Sequence, residues 1–307
     1  MNSRLRFPRG FTSKPLSSSD LGIVTQLIAD CELSDDGVVE IDERDIAGEW
    51  ARPSFDPTTG SIGVFDRDRL VAAGAVCLGR AQVDVHPAER GRGLGKTLLR
   101  WTWDVARSAG SDRVGQVVSD NRRGAAELFL ANGYEVAHHS WILRIDLDGS
   151  IESKTLPDGL VIRDFVPGAD DRAVFDVIET AFAEWSDGER ETFEDWHAAT
   201  IGRADVEPWQ VLLTEDVGRA RIVGAAVTID YASADEGWIE QIAVHKAYRG
   251  RGLGHALLHE SFRRYRGLGR AACGVATDSR TGALGLYEHV GMRIDRSYTR
   301  YAKRFLT

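Results

Sequence analysis

Cysteine, methionine and proline are scarce: 307 residues hold three, two and eight of them. Cys31, Cys77 and Cys273 are scattered, odd in number and without metal-ligand spacing. That excludes a disulfide framework and points to buried thiols in a reducing compartment, hence the cytoplasm. No run of about 18 uncharged apolar residues exists, so no membrane-spanning helix is expected. Residues 1–17 are basic but lack an apolar stretch, and they read as a tail rather than a secretory signal. Positive charge is also short, with 38 Lys and Arg against 47 Asp and Glu and a net charge of -9. A nucleic-acid coat needs a basic face, so that class is set aside. The balance leaves room for a cationic substrate.

What the chain does have is glycine beside arginine. In "AERGRGLGKTLLRW", residues 88–101, a Gly-Lys-Thr triplet suggests a phosphate loop. Arg90 stands where a P-loop needs its first glycine, and Lys96 stands where a dinucleotide fingerprint needs its third. Both familiar loops fail. Phosphoryl transfer by a kinase is therefore a poor reading.

The words occur twice. "VDVHPAERGRGLGKTLL" at 83–99 returns as "IAVHKAYRGRGLGHALL" at 242–258, and "AELFLANGYE" at 126–135 as "LGLYEHVGMR" at 284–293. Upstream, "DRDRLVAAGAV" at 66–76 answers "GRARIVGAAV" at 218–227. Two copies of one domain are expected, at 18–150 and 157–307, joined by the polar stretch "DGSIESKTLPDG".

In each copy an amphipathic helix opens the domain, and a pair of apolar strands follows. A further strand runs straight into the glycine turn, which feeds a helix with Leu94, Leu98, Trp101 and Val105 on one face in the first copy. Another strand, a short helix and a closing strand complete the order. The fold class is α/β, with a mixed sheet in each of two tandem domains.

A strand entering a helix through "RGRGLG" leaves several backbone N–H groups unpaired at the helix start. Glycine allows close approach, and the helix dipole favours an anion there by about 0.3–1 kcal/mol. The arginines and Lys96 can add charge-assisted bonds. The turn suits a pyrophosphate. "RYRGLG" at 264–269 fits the same pattern, but it closes a helix and precedes a strand, so it caps nothing.

Arg90-x-x-Gly93-x-Gly95 and Arg249-x-x-Gly252-x-Gly254, each with its downstream helix, resemble the acyl-CoA-binding signature of the GNAT acetyltransferases. The resemblance implies two tandem GNAT-like acyltransferase domains, in which the sheet splays at the turn. It places pantetheine along Val244 and pyrophosphate on the amides of Arg249, Gly250, Arg251, Gly252, Leu253, Gly254 and His255, with Ser279 nearby. In the first copy those roles fall to Val85, Arg90, Arg92, Gly93, Gly95, Lys96 and Asn121. A tandem pair with a worn first copy is similar in layout to mycothiol synthase, a likeness of architecture and not of substrate. The implied co-substrate is acetyl-CoA or another acyl-CoA, with no metal.

Aligning the copies puts Phe129 opposite Tyr287 and Ala81 opposite Glu240. Aminolysis of a thioester needs an acceptor for the amine proton and a proton for the leaving sulfur. Glu240 can do the first and Tyr287 the second, as family members use a tyrosine there. The competing readings are a core aromatic for Tyr287 and a solvated strand residue for Glu240. The second copy is thus expected to be catalytic and the first noncatalytic, its CoA occupancy left open. His245, His255 and His259 are read as surface or anion contacts.

For the acceptor, Glu184, Asp187, Trp185 and Trp238 could receive a cationic amine, against the plainer reading of a solvated acidic loop. The partner would be a small-molecule or peptide amine. Neither nucleic acid nor membrane is expected, and a pseudo-dimeric domain pair would make the chain a monomer. The alternative function is an acyl-CoA-binding sensor or partner-binding module without turnover.

Overall fold

The computed structural model describes residues 5–149, 155–185 and 190–305. The chain divides into two compact units, one of residues 1–139 and 298–307 and the other of residues 140–297. Each is described by itself.

Unit 1 starts earlier than the expected boundary. Residues 11–14, part of the expected tail, form β1 (Phe11–Lys14), which pairs antiparallel with β2 (Ser61–Asp66). Leu5, Phe7 and Phe11 pack against the core, and that burial holds the segment in place. The opening helix α1 (Leu21–Asp36) begins where Asp20 accepts from the Ser17 amide and hydroxyl at 2.9 Å each. Two helices that the periodicity did not announce, α2 (Glu43–Trp50) and α3 (Pro57–Gly60), precede β2. After β3 (Arg69–Cys77) and β4 (Arg80–Val85) comes α4 (Leu94–Ser108). Its face is the expected one: Leu94, Leu98 and Trp101 are buried, while Val105 is half-buried. Each leucine so placed contributes about 1.5–3 kcal/mol. β5 (Arg113–Ser119) and α5 (Arg123–Ala131) follow, and then β6 (Glu135–Asp146).

Unit 2 repeats the plan. It runs β7 (Leu160–Asp164), α6 (Asp171–Phe182), α7 (Phe193–Ala199), β8 (Val211–Asp216), β9 (Arg221–Tyr231) and β10 (Glu236–Val244). Then come α8 (Leu253–Gly267), β11 (Ala272–Asp278), α9 (Leu284–His289) and β12 (Arg293–Arg304). "RYRGLG" does end α8, as its position before a strand required.

The closing strands are the surprise. Residues 140–146 of β6 pair antiparallel with β11, so they complete the sheet of unit 2. Tyr298–Arg304 of β12 pair antiparallel with β5, so they complete unit 1. Sheet order is therefore β1-β2-β3-β4-β5-β12 in unit 1 and β7-β8-β9-β10-β11-β6 in unit 2. Within each, the one parallel pairing among the described residues joins the strand before the glycine turn to the strand after its helix.

Candidate functional site

That parallel pairing is short in both units, and its shortness makes the candidate site. β10 runs beside β11 only from Glu236–Ala272 to Ile239–Val275. Its remaining residues, through Val244, stay bonded to β9 alone, so the two strands fork after Ile239. At the fork the β9–β10 register slips between Ile239 and Gln241, leaving Glu240 as a bulge residue. Glu240 is exposed, and Trp238 Nε1 donates to its Oε2 at 3.1 Å. Trp238 is half-buried over Gly274 of β11, where any Cβ would collide with the indole.

Tyr287 sits on α9 in the buried cluster that also holds Ile239 and Val275, the last paired residues of the fork. The ring is only 4% exposed, yet its hydroxyl makes no hydrogen bond to the described residues. Burial pushes the phenol up to about 12. It stays protonated at neutral pH, ready to donate.

Beyond β10 the chain turns through Lys246–Tyr248, where His245 Nδ1 accepts from the Ala247 amide at 3.3 Å. His245 is thus a turn cap, a role its reading as a surface or anion contact did not include. Gly252 then caps α8 with φ +83°, a conformation glycine adopts without strain, and no side chain caps that helix end. A Cβ at Gly250 or Gly252 would meet nothing within 4 Å. The turn is open on the side where an anion would lie. Leu253, 1% exposed, anchors it from below beside Tyr248 and Val244, and Gly254 lies against Leu286. Arg251 lies over the Tyr248 ring at 5.2 Å, and His255 stacks beside His289.

Unit 1 keeps the turn but differs at the fork. β4 registers only the Arg80–Gly115 pair with β5 among the described residues. Its pairing with β3 is continuous, so Ala81 has no bulge. Phe129 replaces the phenol and stacks on Tyr301 of β12 at 5.3 Å. The fork is bridged by side chains of α1. Cys31 Sγ donates to Val85 O at 3.3 Å, and Asp35 receives Arg90 (2.6 and 2.9 Å) and Arg122 (3.0 Å). Arg122 also reaches Asp84 at 3.8 Å, and burial pushes that carboxyl up. Asn121 and Ser119 both donate to Asp36. On the turn itself, Arg92 pairs with Glu89 and lies over Phe11, while Gly93 has Pro8 for a neighbour. Lys96 is exposed.

The profile of the acetyltransferase (GNAT) family matches residues 26–134 and again 172–292. The chain belongs to the GNAT acetyltransferase family. It is an N-acetyltransferase built from two GNAT copies. Mycothiol acetyltransferase of Salinispora tropica is 32% identical over 220 residues, covering 68% of each chain. That of Pseudarthrobacter chlorophenolicus is 27% identical over 296 residues, 88% of this chain and 90% of its own. A GCN5-related N-acetyltransferase from Sphaerobacter thermophilus superposes with a TM-score of 0.78 at 27% identity over 97% of both chains. A tandem GNAT protein from the clavulanic acid biosynthesis pathway shares the fold, with a TM-score of 0.74 at 16% identity over 96% of this chain and 98% of its own.

Within this GNAT frame the expected acceptor residues separate. Trp238 lies beside Glu240, but Glu184 and Trp185 are turned to Arg249 at the start of the glycine turn. Glu184 takes both terminal nitrogens of Arg249, and Trp185 has the Arg249 guanidinium at 5.3 Å from its ring. Arg249 holds the Glu184 carboxyl below the usual range. Glu184 is therefore no open anion waiting for an amine. Asp187 lies outside the described residues. Ser279 is exposed in the turn after β11, where Arg280 donates to Trp185 O at 3.2 Å.

Sequence reading missed Asp35, Asp84, Arg122, Gln241 and Arg280. A signal existed for the first: both opening helices end in acid, "ELSDD" and "AFAEW". Gln241 accepts from Trp196 Nε1 at 2.8 Å and so docks α7 on β10. Among the described residues no three His, Cys, Asp or Glu side chains gather to hold a metal.

Proposed function

We propose that unit 2 transfers acetyl from acetyl-CoA to a primary amine of a small molecule by direct attack, and that unit 1 is noncatalytic. The fork between β10 and β11, opening directly ahead of a bare glycine turn, carries the reading. Backbone amides of the turn would hold the pyrophosphate. The unladdered edge of β10 near Val244 would hold pantetheine and polarise the thioester carbonyl.

Glu240, directly or through a water, takes the proton of the attacking amine. The new C–N bond forms as the C–S bond breaks, and Tyr287 gives its proton to the departing sulfur. Solvent returns a proton to the phenol and removes one from the carboxyl. The products are an amide and CoA thiol. The relatives' name, mycothiol acetyltransferase, favours a small acceptor over a protein lysine. The basic end of such an acceptor meets Glu240 and its apolar part Trp238. The sensor reading fits unit 1 better, since Phe129 and Ala81 there leave neither acid nor base.

Calorimetric titration of acetyl-CoA into wild type and Gly252→Glu tests it. The substitution costs about 1–2 kcal/mol for its backbone conformation and sets an anion where pyrophosphate belongs. Loss of the site in that variant, with thiol release in an amine screen of wild type, supports the reading. A number of sites that stays the same in Gly252→Glu as in wild type moves the donor elsewhere and overturns it.

A further inference from the structure

The first arginine of each glycine signature is tied by its guanidinium to the end of the preceding strand and to a carboxylate near the end of the opening helix. Arg249 Nε donates to Val244 O at 3.0 Å, and its two terminal nitrogens donate to the two oxygens of Glu184 at 2.9 and 3.0 Å. Arg90 does the same in unit 1. Its Nε donates to Val85 O at 3.1 Å and its terminal nitrogens to Asp35 at 2.6 and 2.9 Å. The two units share this three-point arrangement although the carboxylates differ in type. The duplication is thus an internal replicate of one device.

What the device joins is specific. Val244 and Val85 are the last residues of β10 and β4, beyond the point where each strand has lost its parallel neighbour. The carboxylates sit at the end of the opening helix: Asp35 in the last turn of α1, Glu184 two residues past α6. A strand end with one edge unladdered has little to fix it. A bidentate guanidinium–carboxylate pair fixes both distance and plane. In unit 1 the brace is locked further, by Arg122 on Asp35 and by Asp84 behind it. Unit 2 has Ala243 opposite Asp84, and Arg280, opposite Arg122, donates to Trp185 O rather than to the carboxylate, so among the described residues its brace stands on Glu184 and the Trp185 face.

Resting on the proposed acyl-CoA site, we propose that Arg249 is a positioning residue and not a phosphate ligand. With Glu184 it holds the end of β10 where the pantetheine arm must lie. Pyrophosphate is left to the backbone amides of the turn.

The test compares acetyl-CoA with ADP, which carries a pyrophosphate but no pantetheine. Arg249→Gln, Glu184→Gln and the double variant are titrated with both, and their melting is followed by differential scanning fluorimetry. Each single variant is expected to lose acetyl-CoA affinity by about threefold to fivefold, the scale of one partly exposed ion pair. ADP affinity is expected to stay within about twofold, and the double variant to be no worse than the singles. Arg249→Gln weakening ADP and acetyl-CoA equally, with Glu184→Gln neutral, would make the guanidinium a phosphate ligand and overturn the proposal. So would variants that lose both ligands in step with a fall in melting temperature. Wild-type protein without acetyl-CoA affinity would overturn the acyltransfer reading first, before any variant is made.

Discussion

Leu143 and Tyr287 share one buried cluster, although they come from opposite halves of the sequence. Leu143 lies on the part of β6 that pairs with β11, and it is fully buried there. The wall behind the proposed acid is thus partly made by the end of the first copy.

A fragment of residues 157–307 lacks that strand and exposes the β11 edge. It is expected to aggregate or to melt without cooperativity, while the full chain does not. Leu143→Ala in the full chain should cost about 2–5 kcal/mol. Calorimetry should show a melting temperature lowered by about 5–15 °C.

Tyr287→Phe should lower turnover by about 100-fold or more, with acetyl-CoA affinity within about twofold. Stability near neutral pH should stay within about 0.5 kcal/mol, because the hydroxyl has no bond to the described residues to lose. Phe129 shows that the equivalent core position accepts the ring. Unchanged turnover would remove the phenol from the mechanism.

The same phenol makes a pH prediction. Its folded value of about 12 lies above the unfolded value of about 10. Its contribution is therefore intact below pH 10 and declines as pH rises toward 12, by about 2–3 kcal/mol in all. Tyr287→Phe should flatten the alkaline stability curve relative to wild type in denaturant titrations at pH 9 to 12.

Glu240→Gln should lower kcat/KM by about 10- to 100-fold at neutral pH. The deficit should shrink in alkaline buffer, where more of the amine is already neutral. A constant deficit across pH would assign Glu240 to packing against Trp238 instead.

Asp84 in unit 1 is buried and its carboxyl is pushed up, first by desolvation and against the pull of Arg122. A raised folded value means that the ionised form is disfavoured by burial, with the cost appearing above the unfolded value near 4. Asp84→Asn should raise the melting temperature at pH 7 by about 2–4 °C, roughly 1 kcal/mol. The gain should fade toward pH 4. Arg122 keeps Asp35 at 3.0 Å and is not stranded.

Much of this was legible in the chain itself. The duplication, the strand–turn–helix order, the buried face of α4 and the contrast of Tyr287 with Phe129 follow from local periodicity and from the repeat. Those features depend on neighbours a few residues away, which a sequence displays directly. The glycine turn belongs with them, since its conformation is set by residues that lack a Cβ.

Tertiary structure alone decided the rest. An amphipathic closing strand alternates in the same way whichever edge it joins, so nothing in "HSWILRIDL" tells β5 from β11. The bulge at Glu240 is a mismatch between two strands and belongs to neither by itself. Arg249 is a surface arginine until Glu184, two residues past α6 and 65 residues upstream, arrives to hold both of its terminal nitrogens.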